Sequence, residues 1–304
     1  MKTKRFAVKR NNLVIKGEIY IPQSCIAKNQ TVIISHEFGL NMLSTQRYAK
    51  RFAELGYTAY IYDFCGSGAG ISRGRKSTQM SVLTEVQDLG FVLDYVKSLP
   101  ETDCEHIILV GCSQGGMVSA LVAAERKDEI DKLILYYPAF CISDDARKGS
   151  MLGSKINPYS PPERFTALGY VRLGKEYVTD ALKLDPWKEI CSFDKPVLIC
   201  HGDKDHIVPF SYAERAKKKY PNCTVEKISG AGHLFLNQDH MKEALKRTEA
   251  FLKDKYIKHN TTIAFPSVIF VKEPFGAIPY TITSKNSPEV VSGEIKITDD
   301  TQSQ

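Results

Sequence analysis

Ile107-Ile108-Leu109-Val110-Gly111-Cys112-Ser113-Gln114-Gly115-Gly116-Met117 opens as an apolar run short enough for a buried strand, passes through small residues and enters a helical pattern that continues to Arg126. Gly111-Cys112-Ser113-Gln114-Gly115 at the junction fits G-x-S-x-G, in which a strained strand-to-helix turn lifts a serine hydroxyl above the end of a sheet. By itself the pattern arises by chance in roughly one chain of this length in ten, and a plain glycine-rich turn satisfies it equally well. Its place between a strand and a helix gives it weight.

Outward from this turn, short apolar runs alternate with helical periodicities. Residues 6–8 and 13–21 flank Asn11-Asn12 and predict an opening antiparallel hairpin; 31–35, 58–62, 106–110, 133–137, 197–201 and 224–228 predict six further buried strands. Helices are expected over 44–55, 81–98, 115–126, 211–220 and 240–253, with Pro100 and Pro221 closing two of them. The alternation implies a mostly parallel eight-stranded sheet with helices on both faces. It breaks at about 141–190, where Pro158, Pro161 and Pro162 precede a short helical pattern near 175–184; this reads as a small inserted cap over the carboxyl ends of the strands. The main domain is thus expected over 1–255. The remainder, 256–304, is a Thr-, Val- and Ser-rich tail with candidate strands at 268–271 and 280–283 and no motif of its own.

Composition narrows the function classes. Of 304 residues, 43% are hydrophobic and 25% charged, the balance of an ordinary globular protein, with no run approaching the ~20 apolar residues of a membrane span. Charges interrupt the first ten residues before an apolar signal core can form, so the cytoplasm is the expected location. The net charge of +6 is dispersed, with one compact run at Lys217-Lys218-Lys219, and gives no basis for nucleic-acid binding. None of the eight cysteines forms C-x-x-C, and reduced, mostly buried thiols are expected rather than disulfides or metal ligands. No metal or organic cofactor is implied, and a homodimer is compatible with the sequence.

A serine hydroxyl is unreactive at neutral pH without a base, and the base needs an acceptor for its other ring proton. Both follow in order, first in His201-Gly202-Asp203-Lys204-Asp205-His206-Ile207-Val208-Pro209 and then in Ser229-Gly230-Ala231-Gly232-His233. The succession serine, acid, histidine is that of the α/β-hydrolase fold, which makes Ser113 the expected nucleophile and His233 the base. Asp203 and Asp205 compete for the acid role; Asp203 follows Gly202 directly and suits turn shaping, so the reading favours Asp205. The oxyanion donors of this fold are backbone N–H groups after the nucleophile and after an early strand, which points to Gln114 and to Phe38 in His36-Glu37-Phe38-Gly39. The other histidines, His201 among them, lack that position in the order and are expected to be structural or exposed.

These motifs, with Tyr62-Asp63-Phe64-Cys65-Gly66-Ser67-Gly68 and Met80-Ser81-Val82-Leu83-Thr84-Glu85-Val86-Gln87-Asp88-Leu89, resemble those of bacterial cinnamoyl (feruloyl) esterases, which border on monoacylglycerol-lipase and serine-aminopeptidase types, over about residues 10–253. The resemblance implies an α/β-hydrolase that cleaves small carboxylic esters, with the family acid aligned on Asp205. It also implies that Asp145 and Tyr177 in the cap contact the phenolic end of a hydroxycinnamoyl group. The family usually has Gly where Glu37 stands and His where Cys112 stands, and an acid beside the oxyanion hole would oppose developing negative charge unless it points away or is neutralised. A peptidase or thioesterase with the same triad, and a catalytically silent hydrolase fold acting as a binding module, are the alternatives.

Overall fold

The computed structural model describes residues 1–253 other than Ala69 and Glu101, together with the backbone of two strands, Ile278–Thr283 and Val290–Ile295. The chain divides into two units, Met1–Tyr256 and Ile257–Gln304. In the first, eight strands form one sheet: β1 Lys2–Arg10, β2 Leu13–Ile21, β3 Thr31–Ser35, β4 Thr58–Tyr62, β5 Ile107–Cys112, β6 Lys132–Tyr136, β7 Val197–Gly202 and β8 Cys223–Ile228. Their spatial order is β1-β2-β4-β3-β5-β6-β7-β8, antiparallel at β1–β2 and β2–β4 and parallel elsewhere. All eight expected strands are present, but β8, expected to be buried, is an edge strand of which only Ile228 is buried, since no described strand pairs with its outer side. The largest boundary shift is in β1, which runs Lys2–Arg10 rather than 6–8 because it pairs with β2 along its whole length; at Tyr137 a φ of 39° takes the residue out of β6.

The helices are α1 Gln46–Glu54, α2 Val82–Lys97, α3 Gln114–Glu125, α4 Ile142–Lys148, α5 Lys175–Lys183, α6 Pro186–Glu189, α7 Ser211–Lys217 and α8 Gln238–Lys253. Because side chains alternate across a strand, each central strand feeds two cores. Ile33, Leu109, Leu133 and Ile199 pack with Leu89 and Val92 of α2 and Met117 and Val118 of α3. Val32, Val110, Ile134 and Leu198 pack with Tyr48 and Phe52 of α1 and Met241 and Ala244 of α8. A strand covered on both faces carries no polar alternation, which is why these segments read as continuous apolar runs.

The stretch 141–190 holds α4, α5, α6 and two antiparallel hairpins, Ser150–Met151 with Ser154–Lys155 and Arg164–Ala167 with Val171–Gly174. Only α5 was legible as a periodic element. No cysteine is paired, and Cys25, Cys104 and Cys191 are exposed rather than buried. No helix among the described residues is long and apolar enough to cross a membrane. In the second unit Ile278–Thr283 pairs antiparallel with Val290–Ile295, and the first of these contains the candidate strand at 280–283. The candidate at 268–271 lies outside the described residues.

Candidate active site

Parallel strands end together, so the loops after β3, β5, β6, β7 and β8 meet at one edge of the sheet. The order reverses around β3, with β4 on one side and β5 on the other, and the crevice at such a reversal is where open α/β sheets bind ligands. Ser113 stands at this crevice in a backbone conformation of φ 52° and ψ −118°, sparsely populated for a residue with a side chain. The turn is held by Ser113 N–H to Tyr136 O (3.0 Å) and by Ala139 N–H to Ser113 O (2.9 Å). Gly115 is required: a Cβ there would lie 2.4 Å from the carbonyl oxygen of His36 at the end of β3.

The loops after β7 and β8 are zipped together by Lys204 N–H to Ala231 O (2.9 Å) and by Gly230 N–H to Asp203 Oδ1 (2.7 Å). This fastening brings His233 against Ser113, with Nε2 2.9 Å from Oγ and Nδ1 2.7 Å from Asp205 Oδ2. An ionised carboxylate only accepts, so Nδ1 carries the ring proton and Nε2 presents its lone pair to the serine hydroxyl. Asp205 is buried, and burial alone would raise its pKa. Hydrogen bonds from His201 and His233 and from the N–H groups of Ile207 (2.9 Å) and Val208 (2.8 Å) instead hold it well below the usual carboxylate range. A hydroxyl, an imidazole and a fixed anion in series can draw a proton off the hydroxyl as it attacks.

His201 is the residue sequence reasoning passed over. It is fully buried, with Nε2 2.9 Å from Val208 O and 3.2 Å from Asp205 Oδ2. Since a carbonyl oxygen only accepts, Nε2 carries the proton, and Nδ1 is left without a hydrogen-bond partner among the described residues. Its signal was the i, i+4 spacing to Asp205 across a turn, which periodicity alone does not mark.

A cavity of about 370 Å³ opens beside Ser113, bounded by Phe38, Gln114, Asp145, Leu168 and Ile207 among others. Asp145 is half-buried there, and burial lifts its carboxyl above the usual range. Tyr177 is not among the lining residues: it is fully buried, and its hydroxyl donates to Gln114 Oε1 behind the cavity wall. Gln114 Nε2 in turn donates to buried Glu85 (2.7 Å) on α2. Glu37 does not face the cavity. Its carboxylate accepts from Tyr137 Oη (3.0 Å) and Ser44 Oγ (2.5 Å), so it points away from the loop expected to hold the oxyanion. A larger cavity of about 830 Å³ opens near Thr31 and Thr58, where β3 and β4 begin; it contains no such hydroxyl–imidazole–carboxylate series.

Desolvation pushes Glu85 up to about 8, against an opposing hydrogen bond from Gln114. Unfolded glutamate titrates near its ordinary 4.5, so between that value and about 8 the folded state binds one proton more and stability falls as pH rises. Melting followed from pH 5 to 8 should show this fall, and Glu85→Gln should flatten it, by about 2–4 °C for each kcal/mol removed. Identical pH dependence in the two proteins would show that Glu85 does not titrate in this window.

Residues 27–166 match the serine aminopeptidase S33 family. The solved structure of Est1E from Butyrivibrio proteoclasticus with bound ferulic acid superposes with a TM-score of 0.74 at 27% identity, over 81% of this chain and 98% of that one. A quorum-quenching protein, AidA of Acinetobacter baumannii, is 22% identical over 278 residues, which is 78% of this chain and 88% of that protein. The Bacillus subtilis protein YqkD is 29% identical over 62% of this chain and 59% of its own length.

Proposed function

We propose, from the premise that this chain is an α/β-hydrolase related to serine aminopeptidase-like and esterase types, that it cleaves carboxylic esters through an acyl-enzyme on Ser113. The observation that carries the reading is the unbroken hydrogen-bonded series from Ser113 Oγ through His233 to Asp205. Ser113 Oγ attacks the ester carbonyl as its proton passes to His233 Nε2, and Asp205 stabilises the imidazolium. The backbone N–H groups of Phe38 and Gln114 take the oxyanion. His233 then protonates the departing alcohol, and the same histidine deprotonates water to release the acid. Location in the cytoplasm belongs to this proposal, and nothing in the reading requires a metal or cofactor.

The test is turnover of a p-nitrophenyl ester, a monoacylglycerol and an aminoacyl anilide by the full chain. Ester cleavage with no anilide cleavage is expected; the reverse preference would make the protein a peptidase. His201→Phe keeps a ring in the buried site and removes the second donor to Asp205. A hydrogen bond to a charged group contributes roughly 1.5–3 kcal/mol, so kcat on the nitrophenyl ester should fall by about tenfold or more. Unchanged kcat in the folded variant would show that His233 and the two loop N–H groups suffice for Asp205.

A second reading, hydroxycinnamoyl esters, is favoured by Asp145 in the cavity and by the ferulic acid bound to Est1E. Asp145 can accept from a phenolic hydroxyl, whereas Tyr177, its hydroxyl engaged by Gln114, would have to exchange that partner to contribute. A buried polar group left unpaired costs ~1–3 kcal/mol, so kcat/KM for methyl ferulate should exceed that for methyl cinnamate by about tenfold, and Asp145→Ala should narrow the gap. Equal values for both esters would leave a general short-chain esterase.

A further inference from the structure

Non-glycine residues with positive φ gather at this site. Among the described residues there are eight; Ser113, Tyr137, Leu234 and Phe235 surround His233, and Leu152 and Leu168 line the cavity. Such a backbone is strained and persists only where its surroundings over-determine it. Around His233 the surroundings are specific. The Tyr137 ring lies 4.8 Å from the His233 ring, and Phe235 packs edge-on against Tyr137 at 4.9 Å. Arg47 Nη2 donates to the carbonyl of Leu234 (2.7 Å), the residue that follows the histidine.

Tyr137 follows β6 at φ 39°, and its hydroxyl faces Tyr48 Oη (3.2 Å), Glu37 Oε1 (3.0 Å) and the Cys112 thiol. Burial, reinforced by Tyr48, Cys112 and Glu37, keeps the Tyr137 phenol protonated and therefore a donor. The other Glu37 oxygen accepts from Ser44, which begins the approach to α1. On the main chain, His36 Nδ1 bonds the carbonyl of Glu37 (2.7 Å), and His36 Nε2 accepts from Phe64 N–H (3.2 Å). Glu37 thus touches two things catalysis needs held still: the loop that presents Phe38 N–H, and the ring that backs the imidazole. Glycine, which the resembling family usually has at this position, could make neither side-chain contact.

We propose that Glu37 is a positioning residue of this site, whose buried carboxylate anchors Tyr137 and Ser44 and through the Tyr137 ring keeps the His233 imidazole aimed at Ser113. The proposal rests on the serine-hydrolase reading above. When Ser113 is acylated, the bond from Nε2 to Oγ is lost, and the imidazole is then held by Asp205 on one side and by the Tyr137 ring packed beside it at a tilt of 59°. Misplacement of a catalytic group by about 1 Å can cost 10²-fold, so losing the anchor should act on rate rather than on substrate affinity.

The experiment compares wild type, Glu37→Ala, Glu37→Gln, Tyr137→Phe and the Glu37→Ala/Tyr137→Phe double variant in the full chain. It measures the rate of Ser113 labelling by a fluorophosphonate, kcat and KM on p-nitrophenyl acetate, and melting. Glu37→Ala and Tyr137→Phe are each expected to lower kcat and labelling about 10- to 100-fold with KM within about twofold. The double variant should be no worse than Glu37→Ala, because the bond through which Glu37 reaches the Tyr137 ring, and so His233, is already lost in Glu37→Ala. Glu37→Gln, which can still accept from Tyr137, should recover most of the rate. Losses that multiply in the double variant, labelling at the wild-type rate in both single variants, or an effect confined to KM would each overturn the proposal. If Glu37→Ala does not fold, Tyr137→Phe and Glu37→Gln decide, since Tyr137→Phe deletes one hydroxyl and keeps the ring: a Tyr137→Phe protein with wild-type kcat rejects the proposal. A wild-type protein that is folded but unlabelled would instead defeat the serine-hydrolase reading, and the positioning role with it.

Discussion

Ser113→Ala is expected to remove ester turnover, with kcat falling by at least about 10³-fold, some 4 kcal/mol of barrier, while melting changes by no more than a few degrees. In the proposed mechanism the chemistry depends on one oxygen atom. The turn that carries it is fixed by backbone bonds to Tyr136 and Ala139 and by the close approach of Gly115 to β3, none of which involves Oγ. Only the hydrogen bond from Oγ to His233 is lost, a net ~0.5–1.5 kcal/mol. Steady-state assays on a nitrophenyl ester with parallel melting curves measure both sides, and turnover at the wild-type level in folded Ser113→Ala would remove Ser113 from the mechanism.

The second large effect separates the two carboxylates of the β7–β8 region. Asp205→Asn should cost about 10³–10⁴-fold in kcat, because an amide placed 2.7 Å from His233 Nδ1 can offer its own N–H and favour the wrong imidazole tautomer. Asp203→Asn should cost no more than about threefold, since an amide oxygen can still accept from Gly230 N–H. The assay is kcat for both proteins at one saturating ester concentration. A larger loss at Asp203 with both proteins folded would exchange their roles.

The sheet and the expected triad positions could be read from the chain because each has a local signature. Strands buried on both faces appear as unbroken apolar runs, and Ser113 and Asp205 each follow one; His233 follows the edge strand β8, Cys223-Thr224-Val225-Glu226-Lys227-Ile228, and is placed by its order in the chain. The two hairpins within 150–174 could not be read. Their strands are two to four residues long, too short for any period to register, and their pairing depends on tertiary contact. The direction in which a side chain points is equally hidden. Glu37 adjoins Phe38 in sequence yet turns to Ser44 and Tyr137, and Tyr177 spends its hydroxyl on Gln114 rather than on the cavity. His201 was overlooked because its partner Asp205 lies across a turn whose shape only the folded loop reveals.

The most direct test of the account is reaction of the full-length protein with a fluorophosphonate, followed by mass spectrometry of its peptides. An activated serine should be phosphonylated at Ser113 alone, with labelling abolished in Ser113→Ala and strongly slowed in His233→Ala. Folded wild-type protein that takes up no probe, or takes it up at another residue, would contradict a serine nucleophile at this site and favour a hydrolase fold that binds without catalysis.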